Sequence, residues 1–447
     1  MGTTVDGLGL DAGPPSEQVT PAAALETVAA AAALLFESGQ TTERTVRAAE
    51  RLGRALGLPV TVYPRWGEFA IHADGTLLSH IVRTTPLGVD MGRVLATMTI
   101  LDQACAAMLT AAAARSALAQ VARRPPVSTL RFCVLAAIGA AALGVIFGAV
   151  DPVGLILIAL SAGLGVVVRR RLTIQPGSVF LQPLCAAFAA GLIGAVADRL
   201  QLSHTQGLVA LCPCMVLVPG PHILNGALDL VRTRIALGIA RVAYAGLVVL
   251  MICAGLLLGL AAGGSSLPDA GASAPVPLGA DVIAAGCAVA AFGTFFSMPW
   301  RLLAVPIAVG MLAHAARWAL ISLAGADVVM GALVACVLVG IIVTPVADRL
   351  HLPFAALGFS AVVSMMPGFF LFRAASDLVI LVSVGQHAPP GLLPRMVANG
   401  ATAFLIILAM SFGVILPLML YDQIRHARAP RTPAEDGRSA PGRNRPA

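Results

Sequence analysis

The chain has 447 residues, 58% hydrophobic and only 11% charged, with a mean hydropathy of +0.88, where soluble domains carry about 25% charged residues. That composition excludes a soluble globular protein, a disordered chain and a collagen-like one, and the length leaves room for two or three units. The charge is segregated: residues 1–131 hold 11 acidic and 11 basic side chains, whereas residues 132–421 hold 8 Asp, 12 Arg and no Glu, so a polar head precedes an apolar body.

In chain order, residues 1–21 carry acids and prolines where a signal peptide needs a basic start and an apolar run, and they are expected to be disordered, with no cleaved secretory signal. Residues 22–124 read as a small cytoplasmic α+β domain. Helices are predicted over 22–37 and 42–56, the second opening at Thr41/Thr42 between Gly39 and Gly57. Val60–Tyr63 and Glu68–His72, separated by Pro64-Arg65-Trp66-Gly67, predict a β-hairpin. The Ala-rich stretch from 91 to 122 predicts a cytoplasmic helix pair, because Asp102-Gln103 at the centre of 94–114 would cost a few kcal/mol inside a bilayer.

Ten segments after Arg131 approach the roughly 20 apolar residues that cross a membrane: 132–150, 152–168, 179–197, 205–231, 238–260, 281–298, 302–322, 327–346, 353–372 and 397–420. With the head and the C-terminus cytoplasmic, thirteen loop arginines fall inside and four (Arg199, Arg317, Arg373, Arg395) outside, as the positive-inside rule requires. The 261–280 loop, free of Arg, is then external, and the Arg/Pro-rich tail 422–447 is expected to be disordered.

The body repeats itself. Val196-Ala197-Asp198-Arg199-Leu200-Gln201-Leu202 recurs as Val346-Ala347-Asp348-Arg349-Leu350-His351-Leu352, at an offset of 150, and Pro219-Gly220 with Asp229-Leu230 recurs as Pro367-Gly368 with Asp377-Leu378, at an offset of 148. Five spans per copy, an odd number, reverse the second copy, so the fold class is a polytopic α-helical membrane protein of about ten transmembrane helices arranged as an inverted 5+5 repeat. Its copies cover 132–260 and 281–420. This is a secondary-transporter architecture, in which one half rocks against the other around a midplane site.

Pro219-Gly220 falls after about 14 of the 27 residues of the fourth segment, and Pro367-Gly368 interrupts the ninth in the same way. Pro removes a backbone donor, and the half-helix that follows offers free N–H groups to an anionic substrate. An ordinary proline kink is the alternative for either break alone. His222, Asn225 and Asp229 follow the first break on one helix face, matched by Phe370, Arg373 and Asp377 after the second. We therefore take Pro219, Gly220, His222, Asn225, Pro367, Gly368 and Arg373 as substrate-binding candidates, and His222, Asp229, Asp377, Asp198 and Asp348 as candidates for proton coupling or gating. Histidine has a reference pKa of about 6.5, so His222 could relay a proton, although a lone His in an apolar helix is more often a packed, hydrogen-bonding residue. Asp229 and Asp377, about 13 Å past the breaks, could equally be solvated helix ends, and Asp198-Arg199 and Asp348-Arg349 structural ion pairs.

The eight Cys, including Cys212-Pro213-Cys214, give neither a disulfide framework nor two metal-ligand pairs, so no metal or cofactor is expected. No P-loop exists in a chain without Lys, and Ser38, His72 and Asp74 lack a nucleophile elbow, which argues against an enzyme.

Leu34-Leu35-Phe36-Glu37-Ser38-Gly39-Gln40-Thr41-Thr42-Glu43-Arg44 resembles the signature that opens the threonine/serine exporter family, and the head with ten duplicated spans resembles that family's layout over residues 22–420. Gln40 stands where the family has a small residue, and Glu43-Arg44 matches its ending in part. The resemblance implies proton-driven export of threonine and serine across the bacterial inner membrane. Its partners would be these amino acids, protons and the lipid bilayer, without nucleic acid; a homo-oligomer is left open. Split relatives associated with dicarboxylate export make dicarboxylates the alternative substrates, and a channel is the alternative mechanism.

Overall fold

The computed structural model describes residues 20–172, 179–203, 205–267, 276–349 and 354–428. The tail beyond 428, the start of the chain before 20 and the 268–275 part of the expected external loop lie outside the described residues. The chain forms two compact units, one comprising the head to Pro126 together with Asp229–Arg241, the other comprising Val127–Leu228 and Val242 onward.

In the first unit the elements are α1 (Pro21–Glu37), α2 (Thr42–Ala55), β1 (Val60–Arg65), β2 (Glu68–Ala73), β3 (Ser79–Arg83), α3 (Met91–Cys105) and α4 (Ala111–Ala122). Thr20 caps α1 by accepting from the Ala23 N–H, with Pro21 at the first helical position, where its missing donor costs nothing. α1 is Ala-rich and buried along most of its length, which lets the other elements pack closely around it. α2 instead keeps Arg47, Arg51 and Arg54 exposed and buries Ala48, Ala49 and Leu52. The strands pair antiparallel in the order β1-β2-β3, with Val60, Val62, Phe69 and Ile71 buried and Phe36 edge-on to Phe69 at 4.7 Å. The hairpin runs to Arg65 and Ala73, longer than the sequence suggests, because Trp66-Gly67 alone turns it, with Gly67 at a φ of 91°. β3 is a strand the sequence hid: its residues are exposed or half-exposed throughout, so no alternating apolar pattern announces it.

The second unit holds α5 (Thr129–Ile146), α6 (Pro152–Leu172), α7 (Leu181–Arg199), α8 (Gln206–Met215), the start of α9 (Gly220–Val231), most of α10 (Ile235–Ala262), α11 (Leu278–Phe295), α12 (Trp300–Ser322), α13 (Val328–Arg349), α14 (Phe354–Val362), α15 (Gly368–Val384) and α16 (Leu392–Arg428). Nine helices among the described residues are long and apolar enough to cross a membrane, and the bent pair α8 and α9 makes up to ten. Large apolar side chains stand exposed along them, Val382 at 76% and Phe404 at 60%, which water penalises and lipid accepts. The expected segment 353–372 is corrected: it spans α14, a 3-10 turn at Val363–Met365 and only the first residues of α15, which continues to Val384. Pro367 lacks the donor that would carry α14 onward.

The packing order recurs along the chain. α5 packs on α6, α6 on α7 and α8, and α7 on α8; α11 packs on α12, α12 on α13 and α14, and α13 on α14, while α5 also meets α11. Glycines bring two helix pairs into backbone contact. A Cβ on Gly255 or Gly259 of α10 would lie 2.2 Å from the Leu184 or Phe188 carbonyl oxygen of α7, and one on Gly413 of α16 would lie 2.7 Å from Cys336 Cβ of α13. Small residues at such crossings are the membrane substitute for a hydrophobic driving force.

Candidate functional site

Both predicted breaks exist. α8 and α9 meet at a bend of 54°, and the Pro219 carbonyl accepts from the His222 and Ile223 N–H groups, opening α9. Pro367, at φ −79° and ψ 25°, caps α15 in the same way, its carbonyl accepting from the Leu371 N–H. The two breaks touch reciprocally. A Cβ on Gly220 would lie 2.3 Å from Met366 Cε, and one on Gly368 would lie 2.9 Å from Met215 Cγ. The two breaks thus meet across two flexible thioether side chains; at α9 the Gly220 N–H donates to the Val218 carbonyl and Pro221 has none to offer, so first-turn donors for a ligand are to be sought at α15. Beside the first break lies a small cavity lined by Ser161, Val166, Pro213, Val216 and Phe295. The buried Ser161 hydroxyl has no hydrogen-bond partner among the described residues.

The remaining sequence candidates each have local partners of their own. His222 is buried with its ring edge against Tyr244 at 5.0 Å, and Asn225 is buried one turn on. The Arg373 guanidinium lies 4.8 Å over the Phe369 ring, which itself stacks on Phe147. Asp377, 5% exposed, takes Arg395 through Nη2 at 2.7 Å and Nε at 3.2 Å. Asp198 accepts from the Ser265 hydroxyl and Asp348 from Tyr421 at 3.2 Å, so each of these aspartates is tied to the last helix or adjoining segment of its half.

Asp229 is no solvated helix end. It is 2% exposed, Arg241 Nε lies 3.1 Å from its Oδ2, and the Thr42 hydroxyl donates to that same oxygen at 3.0 Å. Arg241, 1% exposed, also rests 4.6 Å over the Phe36 ring. Burying this pair would be prohibitive without the extra hydrogen bond and the aromatic face. Glu43 binds Arg234 at 2.7 Å and Arg232 at 3.1 Å. Burial pushes the Glu43 carboxyl up, but the Arg234 hydrogen bond and the charges of Arg232 and Arg47 outweigh it and hold it below its ordinary value. The Ser38–Arg44 motif accounts for this arrangement residue by residue. Gly39 closes α1 at a φ of 87°, hard against Val89; the Gln40 side chain accepts from the Thr41 N–H; Thr41 starts α2; Thr42 and Glu43 then grip Asp229, Arg232 and Arg234.

One polar group of the body is absent from every local sequence pattern. His314 Nδ1 lies 3.0 Å from Asp281 Oδ2 and its Nε2 lies 2.9 Å from Ser364 Oγ. These residues are 33 and 50 positions apart, so only the general rule that ionisable side chains inside apolar spans are functional could have singled them out. No cluster of His, Cys, Asp or Glu among the described residues is grouped to hold a metal ion.

These features define a multi-pass membrane protein with discontinuous helices. A threonine/serine exporter family model matches residues 26–263 and a second threonine/serine exporter model matches residues 281–420. The chain belongs to the threonine/serine exporter family, a family of amino-acid transporters. No curated protein and no solved structure matches it.

Proposed function

We propose that the protein exports threonine and serine across the bacterial inner membrane as a proton-coupled secondary transporter, by alternating access between two inverted five-span halves. The observation that carries this reading is the reciprocal seating of the two breaks, Gly220 on Met366 and Gly368 on Met215. Two segments related by an approximate two-fold axis would contact each other in this way, and the repeated packing order of α5–α8 and α11–α14 supports the same relation.

An amino acid brings a carboxylate into this apolar interior, where an unpaired charge costs many kcal/mol. The N-terminus of α15 would offset that cost with first-turn backbone N–H groups, and both half-helices with the positive ends of their dipoles. His222, Asn225 and Arg373 are the nearest polar side chains along those half-helices. Farther along, each half-helix carries an aspartate bound to an arginine of the next helix, Asp229 to Arg241 and Asp377 to Arg395. We assign these pairs as gates on opposite faces, the first cytoplasmic and the second external, with Asp198 and Asp348 tying down the helix ends.

Counterflow tests the reading. Proteoliposomes loaded with unlabelled threonine should transiently concentrate labelled threonine or serine, because only a carrier exchanges substrate for substrate. Passive equilibration without overshoot would indicate a channel, and overshoot with a labelled dicarboxylate but not threonine would move the substrate class.

A further inference from the structure

We propose that Asp281, His314 and Ser364 form the proton-binding relay that couples transport to the pH gradient; this rests on the transporter reading above and replaces His222 as the coupling group. The three side chains are 3%, 0% and 2% exposed and make an unbroken line of hydrogen bonds between three helical segments. With Nδ1–H donated to the Asp281 carboxylate, Nε2 accepts from the Ser364 hydroxyl. A proton arriving at Ser364 lets the hydroxyl pass its own proton to Nε2, the imidazolium is held by the Asp281 carboxylate, and release reverses the transfer. Only protons move, and the site returns to its starting state.

Position gives the relay its purpose. Ser364 lies in the 3-10 turn Val363–Met365, directly before Met366, the side chain seated on Gly220. Asp281 lies in the first turn of α11, at the end of a span. The line therefore runs from the crossing of the two breaks toward one end of the bundle, so movement of α15 on substrate binding would make or break the Ser364 contact. Among the groups around it, Arg317 on α12 is within electrostatic reach of Asp281 and of Cys336 on α13. Cys287 is the other titratable group of α11. α14 contributes none, and Arg131 of α5 is bound to Thr294 and Met298 at the opposite end of α11, with Cys133 two residues on. Arg317 is thus a further cation beside the line, and the relay assigns the moving proton to His314.

The relay exists in one half only. At the repeat offsets of 148 to 150 the first half has Arg131 to Cys133, Leu164 to Val166 and Cys214 to Val216, with neither His nor carboxylate. One relay per chain predicts one proton per amino acid transported.

The test compares Asp281→Asn, Asp281→Glu and His314→Gln in proteoliposomes, reading labelled-threonine exchange at equal pH and net flux under an imposed pH gradient. We expect Asp281→Asn and His314→Gln to keep exchange and lose the stimulation by the gradient, and Asp281→Glu to recover part of it. A purely structural Asp281 would reverse the order, since Asn is isosteric and Glu overfills the site. Gradient-driven flux at the unmodified level in Asp281→Asn, or loss of exchange and drive together in both Asp281 variants, would overturn the proposal. A second readout needs no substrate: infrared difference spectra of the purified full chain between about pH 5 and 8 should show an imidazole band that titrates and is absent in His314→Gln. If that band is missing, the relay fails even where threonine is transported; if the band is present but the unaltered protein exchanges no amino acid, the transporter reading fails instead.

Discussion

Asp229 shows how one side chain's surroundings decide its chemistry. A lone aspartate near the end of an apolar helix would be expected to snorkel to water, yet here Thr42 and Arg241 supply both a donor and a counter-charge. Removing one partner of a buried pair leaves the other charge unpaid, at about 3–5 kcal/mol. We expect Arg241→Met to lower thermal stability in detergent by that order and Asp229→Asn with Arg241→Met together to recover much of it, because the double change leaves no orphan charge. Thr42→Val should cost less, about 1–3 kcal/mol. Equal losses in the single and double variants would show that the pair contributes by shape alone.

Among the helices, backbone approach separates the glycines that matter from those that do not. Gly259→Ala would push a methyl group into the Phe188 carbonyl at 2.2 Å, whereas a Cβ on Gly246 of the same helix meets nothing within 4 Å. Overpacking of that kind costs roughly 1–3 kcal/mol, so Gly259→Ala should lower the melting temperature and Gly246→Ala should leave it near the unaltered value. The same distinction limits what the sequence discloses. The spans, the head helices and the two breaks are visible because apolar length, caps and Pro-Gly are local signals. The exposed strand β3 carries no such signal, and the Asp281–His314–Ser364 line and the grip of Thr42 on Asp229 join residues dozens to nearly two hundred positions apart, which no spacing rule connects. The motif at Ser38–Arg44 was legible as a signature, but what it holds was not.

For the molecule as a whole, Asp229–Arg241 belongs to the same compact unit as the head, and Glu43 is a titratable group that binds that segment through Arg232 and Arg234. Its carboxyl is held below the ordinary value by arginines, so its contribution to stability is present above about pH 4.5 and lost as pH falls through the lowered value. Glu43→Gln should accordingly destabilise the protein at neutral pH and make little difference near pH 3, as read by thermal unfolding; an equal effect at both would assign Glu43 a role other than charge. The central claim is that the crossing of the two breaks holds the substrate. Its most direct measurement is labelled-threonine exchange by Pro219→Ala with Gly220→Ala and by Pro367→Ala with Gly368→Ala, each confirmed as inserted and folded. Continuous helices would remove the two helix N-termini and their dipole ends from the crossing, and the added methyls would displace Met366 and Met215, so exchange should disappear in both; exchange at the unaltered rate in both would show that the breaks are kinks and that threonine binds elsewhere.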